Sequence, residues 1–215
     1  MNLRVGKSMN NDILEAFAKL KTYCIKEGFK GYDPYDGLNS KLFNSIPFFS
    51  KNRLARLAWI QFFKRFPFNL RPLAGIEKDY NPKALGLFLS GYCRIFRNDP
   101  DPENEKLVRF LADKLIELRA EGWSGACWGY NFDWQARAFF QPRNTPTVVA
   151  TSFIAHALFD AYEIFKEDRW LQTAISSADF ILKDLNRTMG ENDEFTFSYS
   201  PLDHSVVYNA GLLGA

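Results

Sequence analysis

Four aspartates and one histidine lie in connections rich in aromatic residues, where their side chains could do acid–base chemistry. They are Asp33, Asp36, Asp133, Asp203 and His204. Glycoside hydrolysis uses two carboxyl groups roughly 5 to 10 Å apart, one as the acid and one as the base or nucleophile. His204 is a candidate for proton transfer because the unperturbed pKa of histidine lies near neutrality. We take all five as candidate catalytic groups and prefer Asp133 and Asp36.

Each aspartate also has a competing structural role. Aspartate side chains accept backbone hydrogen bonds at helix N-termini and in Asx turns, and the positions of Asp36 and Asp203 suit such roles well. Two histidines and three widely spaced cysteines match no zinc pattern, so we expect no metal and no cofactor, and we interpret the cysteines as free, mostly buried thiols. The choice between catalytic and structural aspartates stays open.

Aromatic residues in the same connections could bind a sugar. They cluster in WSGACWGYNFDWQAR, which begins at Trp123, and in GYDPYDGLNS, which begins at Gly31. The apolar face of a pyranose stacks on an aromatic ring while nearby acids and amides bind its hydroxyl groups. The candidate platforms are Tyr32, Tyr35, Trp128, Tyr130, Trp134 and Tyr199. The alternative is that these rings plug one end of a helical barrel.

Two arginines lie at the end of WSGACWGYNFDWQAR and shortly after it, Arg137 and Arg143. An arginine fork suits a carboxylate or phosphate group on a sugar, so both are candidate substrate-binding residues. Buttressing an aspartate is the other role that we consider for them.

Hydrophobic spacing predicts that helices position these connections. Apart from EFTFSY, no segment alternates like a strand, so the class is all-α. Amphipathic segments (52–66, 103–120, 169–189) alternate with nearly all-apolar ones (83–96, 147–165, 206 onward). Because an all-round apolar helix must be buried, we predict antiparallel helical hairpins with an inner and an outer layer.

The order of the helices also predicts where the aromatic connections lie. Consecutive antiparallel helices bring alternate connections to the same end of the molecule. If residues 38–46 form a short helix, the connections at 31–37, 69–82, 123–137 and 191–205 all share one end, and we favour this arrangement. If residues 38–46 are a loop, the first connection lies at the opposite end.

The basic and aromatic stretch KNRLARLAWIQFFKRF, which begins at Lys51, allows two interpretations. Leu54, Leu57, Ala58 and Phe62 fall on one side of a helix, and its basic residues fall elsewhere. We prefer an outer helix with a solvated basic face. A helix that binds a membrane or a protein partner is the alternative.

Long helical hairpins with aromatic and acidic connections at one rim resemble the (α/α) toroids, which include the six-hairpin glycosidase-like proteins, their lyase and epimerase relatives and the terpenoid cyclase-like barrels. The stretch from GYDPYDGLNS through GACWGYNFDWQARAFFQPRNTPTVVATSFIAHALFDAYE is similar to uncharacterised prokaryotic proteins associated with surface-polysaccharide biosynthesis. The resemblance implies a toroid and a link to carbohydrate. It carries no catalytic motif, so no catalytic residue is transferred from it.

The length of 215 residues and the 47% hydrophobic content predict one domain over residues 1–215. A complete toroid has about twelve helices, so the resemblance implies an incomplete barrel that is truncated within an inner helix. Such a barrel would expose an apolar edge, which predicts self-association or a missing C-terminal half. The net charge of +2 gives no reason to expect a nucleic-acid partner. Neither a signal peptide nor a transmembrane run is visible, so we expect a cytoplasmic protein.

The functional hypothesis is therefore a carbohydrate-active protein of polysaccharide metabolism or biosynthesis that binds an oligosaccharide or sugar derivative. It could be a glycoside hydrolase, a lyase or an epimerase. The alternative is a non-catalytic glycan-binding or scaffold domain, so enzymatic activity is left open. A terpenoid cyclase is disfavoured because the sequence has no DxDD or DDxxD cluster to ionise an isoprenoid.

Overall fold

The structure is a computed structural model that describes residues 2–137, 139–192 and 194–215. The helices among these residues are α1 (Asn2–Lys26), α2 (Lys41–Asn44), α3 (Pro47–Lys51), α4 (Arg53–Arg65), α5 (Pro82–Asn98), α6 (Pro102–Glu117), α7 (Val148–Phe165), α8 (Asp168–Asp184) and α9 (Tyr208–Gly214). Two short antiparallel hairpins interrupt the connections, β1 (Trp134–Gln135) with β2 (Phe140–Gln141), and β3 (Arg187–Met189) with β4 (Phe195–Phe197). The predominance of helix confirms the all-α class.

Local sequence signals explain where the long helices begin. The side chains of Asn81, Asp101 and Thr147 accept hydrogen bonds from the backbone N–H groups three residues later, at the starts of α5, α6 and α7. Proline follows the first two at the initial helical position, where its missing N–H costs no helical hydrogen bond. These caps fix the positions at which the connections enter the helices.

The main core forms between α5, α6, α7 and α8. Its buried side chains include Leu85 and Leu89 from α5, Leu111 from α6, and Ile154 and Leu158 from α7, all fully shielded from solvent. Small residues let α5 and α7 approach closely, since a Cβ atom at Gly86 would lie 2.9 Å from Cγ1 of Ile154. The two apolar helices thus pack on each other, with α6 and α8 beside them.

In the part of the chain that the structure describes, α7 is the one helix whose length and composition would allow it to cross a membrane. Its 18 residues contact α5, α6, α8 and α9. A core helix passes the same test of length and composition as a spanning helix. The packing of α7 therefore agrees with the prediction of no transmembrane segment.

The three cysteines are free thiols and are buried, as predicted. Burial raises the pKa of the Cys93 and Cys127 thiols to about 12. Both thiols therefore stay protonated at neutral pH and behave as small apolar core groups.

The orientation of α4 differs from the prediction. Its buried residues are Ile60 and Phe63, whereas Leu54, Ala58 and Phe62 are exposed to solvent. The turn at Asp36–Asn39 covers the Ile60 side of the helix, where a Cβ atom at Gly37 would lie 3.4 Å from the Ile60 Cα atom. The predicted apolar side of α4 is consequently left without a partner among the described residues.

Residues 38–46 form two short helical pieces, the 3-10 turn Asp36–Asn39 and α2. Contacts then bring the four aromatic connections to the same end of the core. Gly31 pairs with Asp79 in an isolated bridge, Asn39 Nδ2 donates to the Asn131 carbonyl at 2.9 Å, and Val148 N donates to the Tyr199 carbonyl at 3.0 Å. The predicted common end is therefore confirmed. We call this end the rim.

Candidate functional site

An open cleft at the rim combines aromatic and polar side chains. Its volume is about 460 Å³, and its walls come from the start of α5 and the connections at 31–37, 69–82 and 123–137. We call it the rim cleft, and its lining consists of Asp33, Tyr35, Asn81, Lys83, Ala84, Leu87, Tyr130, Phe132 and Trp134. Of the residues predicted from the sequence, the rim cleft thus contains Asp33, Tyr35, Tyr130 and Trp134.

The rings of the rim cleft form a continuous wall. The Trp134 ring meets Tyr35 and Tyr130 edge to face, with centroids 6.1 and 6.4 Å apart. Tyr130 in turn stacks on Phe132 at 5.4 Å. A wall of this kind offers ring faces and edges against which an apolar ligand face can pack.

Asp33 is the only carboxyl group among the residues that line the rim cleft. Its Oδ1 atom accepts a hydrogen bond from the Tyr35 backbone N–H at 2.9 Å, and its Oδ2 atom accepts one from Asn81 Nδ2 at 3.0 Å. Burial raises the pKa of Asp33 above its ordinary value, although these hydrogen bonds and the charges of Arg71 and Lys83 act in the opposite direction. Asp33 therefore takes up a proton at higher pH than an exposed aspartate.

Lys83 supplies the cation of the rim cleft. Its ammonium group lies 4.9 Å from the centre of the Phe153 ring. Among the described residues, no carboxylate lies within ion-pairing distance of Lys83. The Lys83 ammonium group can therefore donate hydrogen bonds to a ligand or pair with its negative charge.

Tyr199 supports the wall from behind and does not line the rim cleft. Its hydroxyl lies 3.3 Å from that of Tyr130, and its ring packs against Trp134 and Phe139. Burial raises the pKa of both tyrosines, so both hydroxyls are neutral at physiological pH. Only 8% of the Tyr199 surface is exposed, so its predicted role as a direct platform gains no support.

Asp36 has a structural position rather than a catalytic one. Its Oδ1 atom pairs with Arg71 Nε at 2.7 Å, and its Oδ2 atom accepts from the Asp33 backbone N–H at 3.0 Å. With 4% of its surface exposed, it cannot contact a ligand in the rim cleft. The turn role that the sequence left open is observed, and Asp36 does not line the rim cleft, so its predicted catalytic role gains no support.

Asp203 likewise organises a turn. It accepts hydrogen bonds from the Ser200 backbone N–H and hydroxyl at 2.8 and 2.6 Å, and from the Ser205 backbone N–H at 2.9 Å. The neighbouring His204 is exposed and does not line the rim cleft. The structure therefore does not bring Asp203 and His204 together with Asp33, and their predicted catalytic roles gain no support.

Asp133 and the two arginines do not line the rim cleft. Asp133 Oδ1 accepts from the Arg143 backbone N–H at 2.6 Å, and the Arg143 side chain pairs with Asp79 at 2.8 Å. Arg137 is exposed, and its carbonyl accepts a hydrogen bond from Arg53. The buttressing role considered for the arginines is thus observed for Arg143, whereas neither arginine lines the rim cleft.

Trp128 and Tyr32 differ from their predicted role as platforms. Trp128 is fully buried, and its Nε1 donates to the Leu115 carbonyl at 2.7 Å, so it cannot stack on a ligand. Tyr32 packs against the small core cluster of Phe63, Ala74 and Ile76 and lines neighbouring clefts rather than the rim cleft. Within WSGACWGYNFDWQAR, Trp128 therefore belongs to the core, whereas Trp134 lines the rim cleft.

Sequence reasoning missed Asn81, Lys83 and Phe132 as lining residues. Asn81 and Lys83 flank Pro82 at the start of α5. An asparagine directly before a proline is typical of a helix N-terminus, so Asn81–Pro82 was a visible signal that α5 begins at the rim. Asn81 has two partners, because its Oδ1 atom caps α5 and its Nδ2 atom holds Asp33.

No family model matches the chain, and no curated protein or solved structure is significantly similar to it. The likeness to toroid proteins stays a prediction from the quoted motifs.

Proposed function

We propose that this protein binds a sugar or sugar derivative in the rim cleft. The observation that carries the proposal is the pairing of an aromatic wall (Tyr35, Tyr130 and Trp134) with three polar side chains (Asp33, Asn81 and Lys83) in one cleft. The volume of about 460 Å³ is in the range typical of small-ligand sites.

The polar groups match the chemistry of a polyol. The Asp33 carboxylate can accept hydrogen bonds from hydroxyl groups, and the Lys83 ammonium group can donate to a hydroxyl or pair with a sugar carboxylate or phosphate. The rings meanwhile cover the apolar C–H face of the same pyranose. A purely apolar ligand would leave the Lys83 charge unpaired, which disfavours an isoprenoid.

The number of carboxyl groups favours binding over hydrolysis. Hydrolysis by two carboxyls needs a partner for Asp33, and none of the other lining residues is acidic. We therefore place the non-catalytic glycan-binding domain first. A lyase or epimerase is the second candidate, favoured by Asp33 in the rim cleft, whose pKa burial raises, because one carboxyl group can both take up and release a proton.

At the level of the fold, we propose that α5 to α8 form two hairpins of an (α/α) toroid that serves polysaccharide metabolism. The short connections between α5 and α6 and between α7 and α8, together with the packing of α5 on α7, support this arrangement. The motif resemblance supports the link to polysaccharide.

The test is titration of the protein with a panel of neutral and acidic mono- and oligosaccharides, followed by calorimetry. We expect Trp134→Ala to raise the Kd of a binding sugar about tenfold, which corresponds to the loss of roughly 1.4 kcal/mol of stacking. Tyr208→Ala, at a residue that is 77% exposed and outside the rim cleft, is the control and should leave the Kd unchanged.

The products are analysed in parallel for cleavage or epimerisation. Binding without turnover supports the glycan-binding domain, and turnover that Asp33→Asn abolishes supports the enzyme. No binding across the panel, or equal binding by the Trp134→Ala protein, would contradict the proposal.

A further inference from the structure

The charges of residues 37–76 are all of one sign. This stretch holds seven of the 27 lysines and arginines of the chain and none of its 25 acidic residues. It contains α2, α3, α4 and residues 66–76, which follow α4. We call the surface formed by α3, α4 and residues 66–73 the basic aromatic surface.

Large apolar side chains are exposed along this surface. Leu54, Ala58, Phe62 and Phe66 recur every four residues, so they form a stripe along one side of α4. Leu54 is 75% exposed, and at the two ends of the stripe Phe48 and Phe68 are 76% and 72% exposed. Leaving so many large apolar groups in water is costly, and such a patch marks an interaction site.

The aromatic side chains of the stripe contact one another. Phe66 lies 5.0 Å from Phe62 and 6.1 Å from Phe68, measured between ring centres. Phe48 and Phe49 form a second pair 6.1 Å apart. The exposed rings therefore form patches at both ends of α4 rather than isolated side chains.

Most of the cations on this surface lack acidic partners. Arg71 pairs with Asp36, and next to the surface Lys41 of α2 pairs with Glu77. Among the described residues, Lys51, Arg53, Lys64 and Arg65 have no carboxylate within ion-pairing distance, and all four are exposed. Arg53 and Lys64 donate only to neutral oxygens, the Arg137 carbonyl and the Tyr35 hydroxyl.

We propose that the basic aromatic surface binds the surface of an anionic lipid bilayer. Phenylalanine and leucine side chains would enter the boundary between headgroups and acyl chains, while lysine and arginine contact the negative headgroups. Charge complementarity selects this occupant. A second copy of the chain docked through the same surface would bring unpaired cations face to face, which is unfavourable.

The proposal is independent of the sugar site, although the two surfaces adjoin. The Lys64 ammonium group lies 2.6 Å from the Tyr35 hydroxyl, and Tyr35 lines the rim cleft. A bilayer on the basic aromatic surface would therefore lie next to the rim cleft.

The test is co-sedimentation of the full chain with phosphatidylcholine vesicles and with phosphatidylcholine–phosphatidylglycerol vesicles. We expect binding to the second kind only, and weaker binding at high salt. The double variant Phe48→Ser/Phe68→Ser and the double variant Lys51→Glu/Arg65→Glu should each lower the partition coefficient at least tenfold.

The controls are single changes of the same two kinds, apolar to serine and basic to glutamate, outside this surface. Leu212→Ser replaces a leucine that is 77% exposed, and Lys106→Glu reverses an exposed charge on α6. Both should bind the vesicles as the unmodified chain does. Thermal melts of all variants show whether the fold is retained, which is expected because every altered side chain is exposed.

Three results would overturn the proposal. They are the absence of binding to either vesicle, equal binding to neutral vesicles, and full binding by both double variants. Light scattering that shows a dimer dissociated by Phe48→Ser/Phe68→Ser would assign the surface to a second copy of the chain instead.

Discussion

Asp33 has an environment that none of the other rim carboxyls shares. Asp36 is bound to Arg71, and Asp203 to Ser200 and Ser205, so the oxygens of both carboxyl groups have partners inside turns. Asp33 is held by Tyr35 and Asn81 at the edge of a cleft that a ligand can enter. The three side chains have the same chemistry, and the groups around each of them set its role.

The first prediction concerns the pH dependence of stability at Asp33. Because burial raises the pKa of Asp33 in the native state, the native state binds this proton more tightly than the unfolded state does. This contribution to the stability of the unmodified chain is complete below the unfolded pKa of about 3.9 and is lost as the pH rises through the native pKa. Asparagine does not titrate. We therefore expect the Tm of Asp33→Asn to increase relative to that of the unmodified chain as the pH rises from about 4 through the native pKa of Asp33.

Calorimetric melts at several pH values measure this difference. Asp99→Asn, at an exposed position outside the rim cleft, serves as the control and should show a smaller change with pH. A difference for Asp33→Asn that moves in the opposite direction would show that Asp33 is stabilised as the carboxylate.

At the scale of elements, the contact of α5 with α7 depends on Gly86. A Cβ atom there would lie 2.9 Å from Ile154 Cγ1, which is closer than normal packing allows, and 3.4 Å from the Ile154 Cα atom. Gly91, on the same helix, is exposed and has no atom within 4 Å of a Cβ position. Substituting Gly86 therefore tests the close packing of α5, whereas substituting Gly91 tests helix propensity alone.

Alanine at these two positions should therefore have opposite effects. Gly91→Ala should raise the free energy of unfolding by up to about 1 kcal/mol, because alanine favours helix over glycine. Gly86→Ala should lower it by about 1 kcal/mol, since overpacking costs roughly 1 to 3 kcal/mol against the same gain. Urea unfolding of both variants measures the two values. A stabilising Gly86→Ala would mean that α5 and α7 can move apart without cost.

At the scale of the whole molecule, the apolar side chains near α9 bear on the predicted apolar edge. A groove of about 720 Å³ there is lined by residues of β3, β4 and α9, including Met189 and Leu212. These two side chains are 60% and 77% exposed. Exposed apolar grooves of this size favour association of protein chains.

We therefore predict that the protein self-associates through this groove. We expect the apparent mass in light scattering to rise with protein concentration, and Met189→Ser/Leu212→Ser to reduce that rise. Phe48→Ser/Phe68→Ser, on the basic aromatic surface, is the control and should leave association unchanged. A mass that stays at the monomer value at every concentration would contradict the predicted apolar edge.

Much of the fold was predictable because its signals are local. The caps at Asn81, Asp101 and Thr147 are short-range hydrogen bonds, and the alternation of apolar and amphipathic segments extends over single helices. The common location of the four connections followed from the order of antiparallel helices. Of the candidate site, Asp33, Tyr130 and Trp134 were identified because acids and rings in one connection are visible in the sequence.

Tertiary contacts decided the rest. The sequence by itself determined the helical class and the starts of the apolar and amphipathic helices. It favoured one rim for the aromatic connections, and the structure of residues 38–46 decided the position of the first of them. It could not determine that Trp128 is buried under Leu115 while Trp134 faces the rim cleft, or that α4 buries Ile60 and exposes Leu54. Each of these orientations depends on a contact with a residue distant in sequence, Leu115 for Trp128 and Gly37 for Ile60. The spacing of residues within one segment carries no information about which side of that segment such a residue will cover.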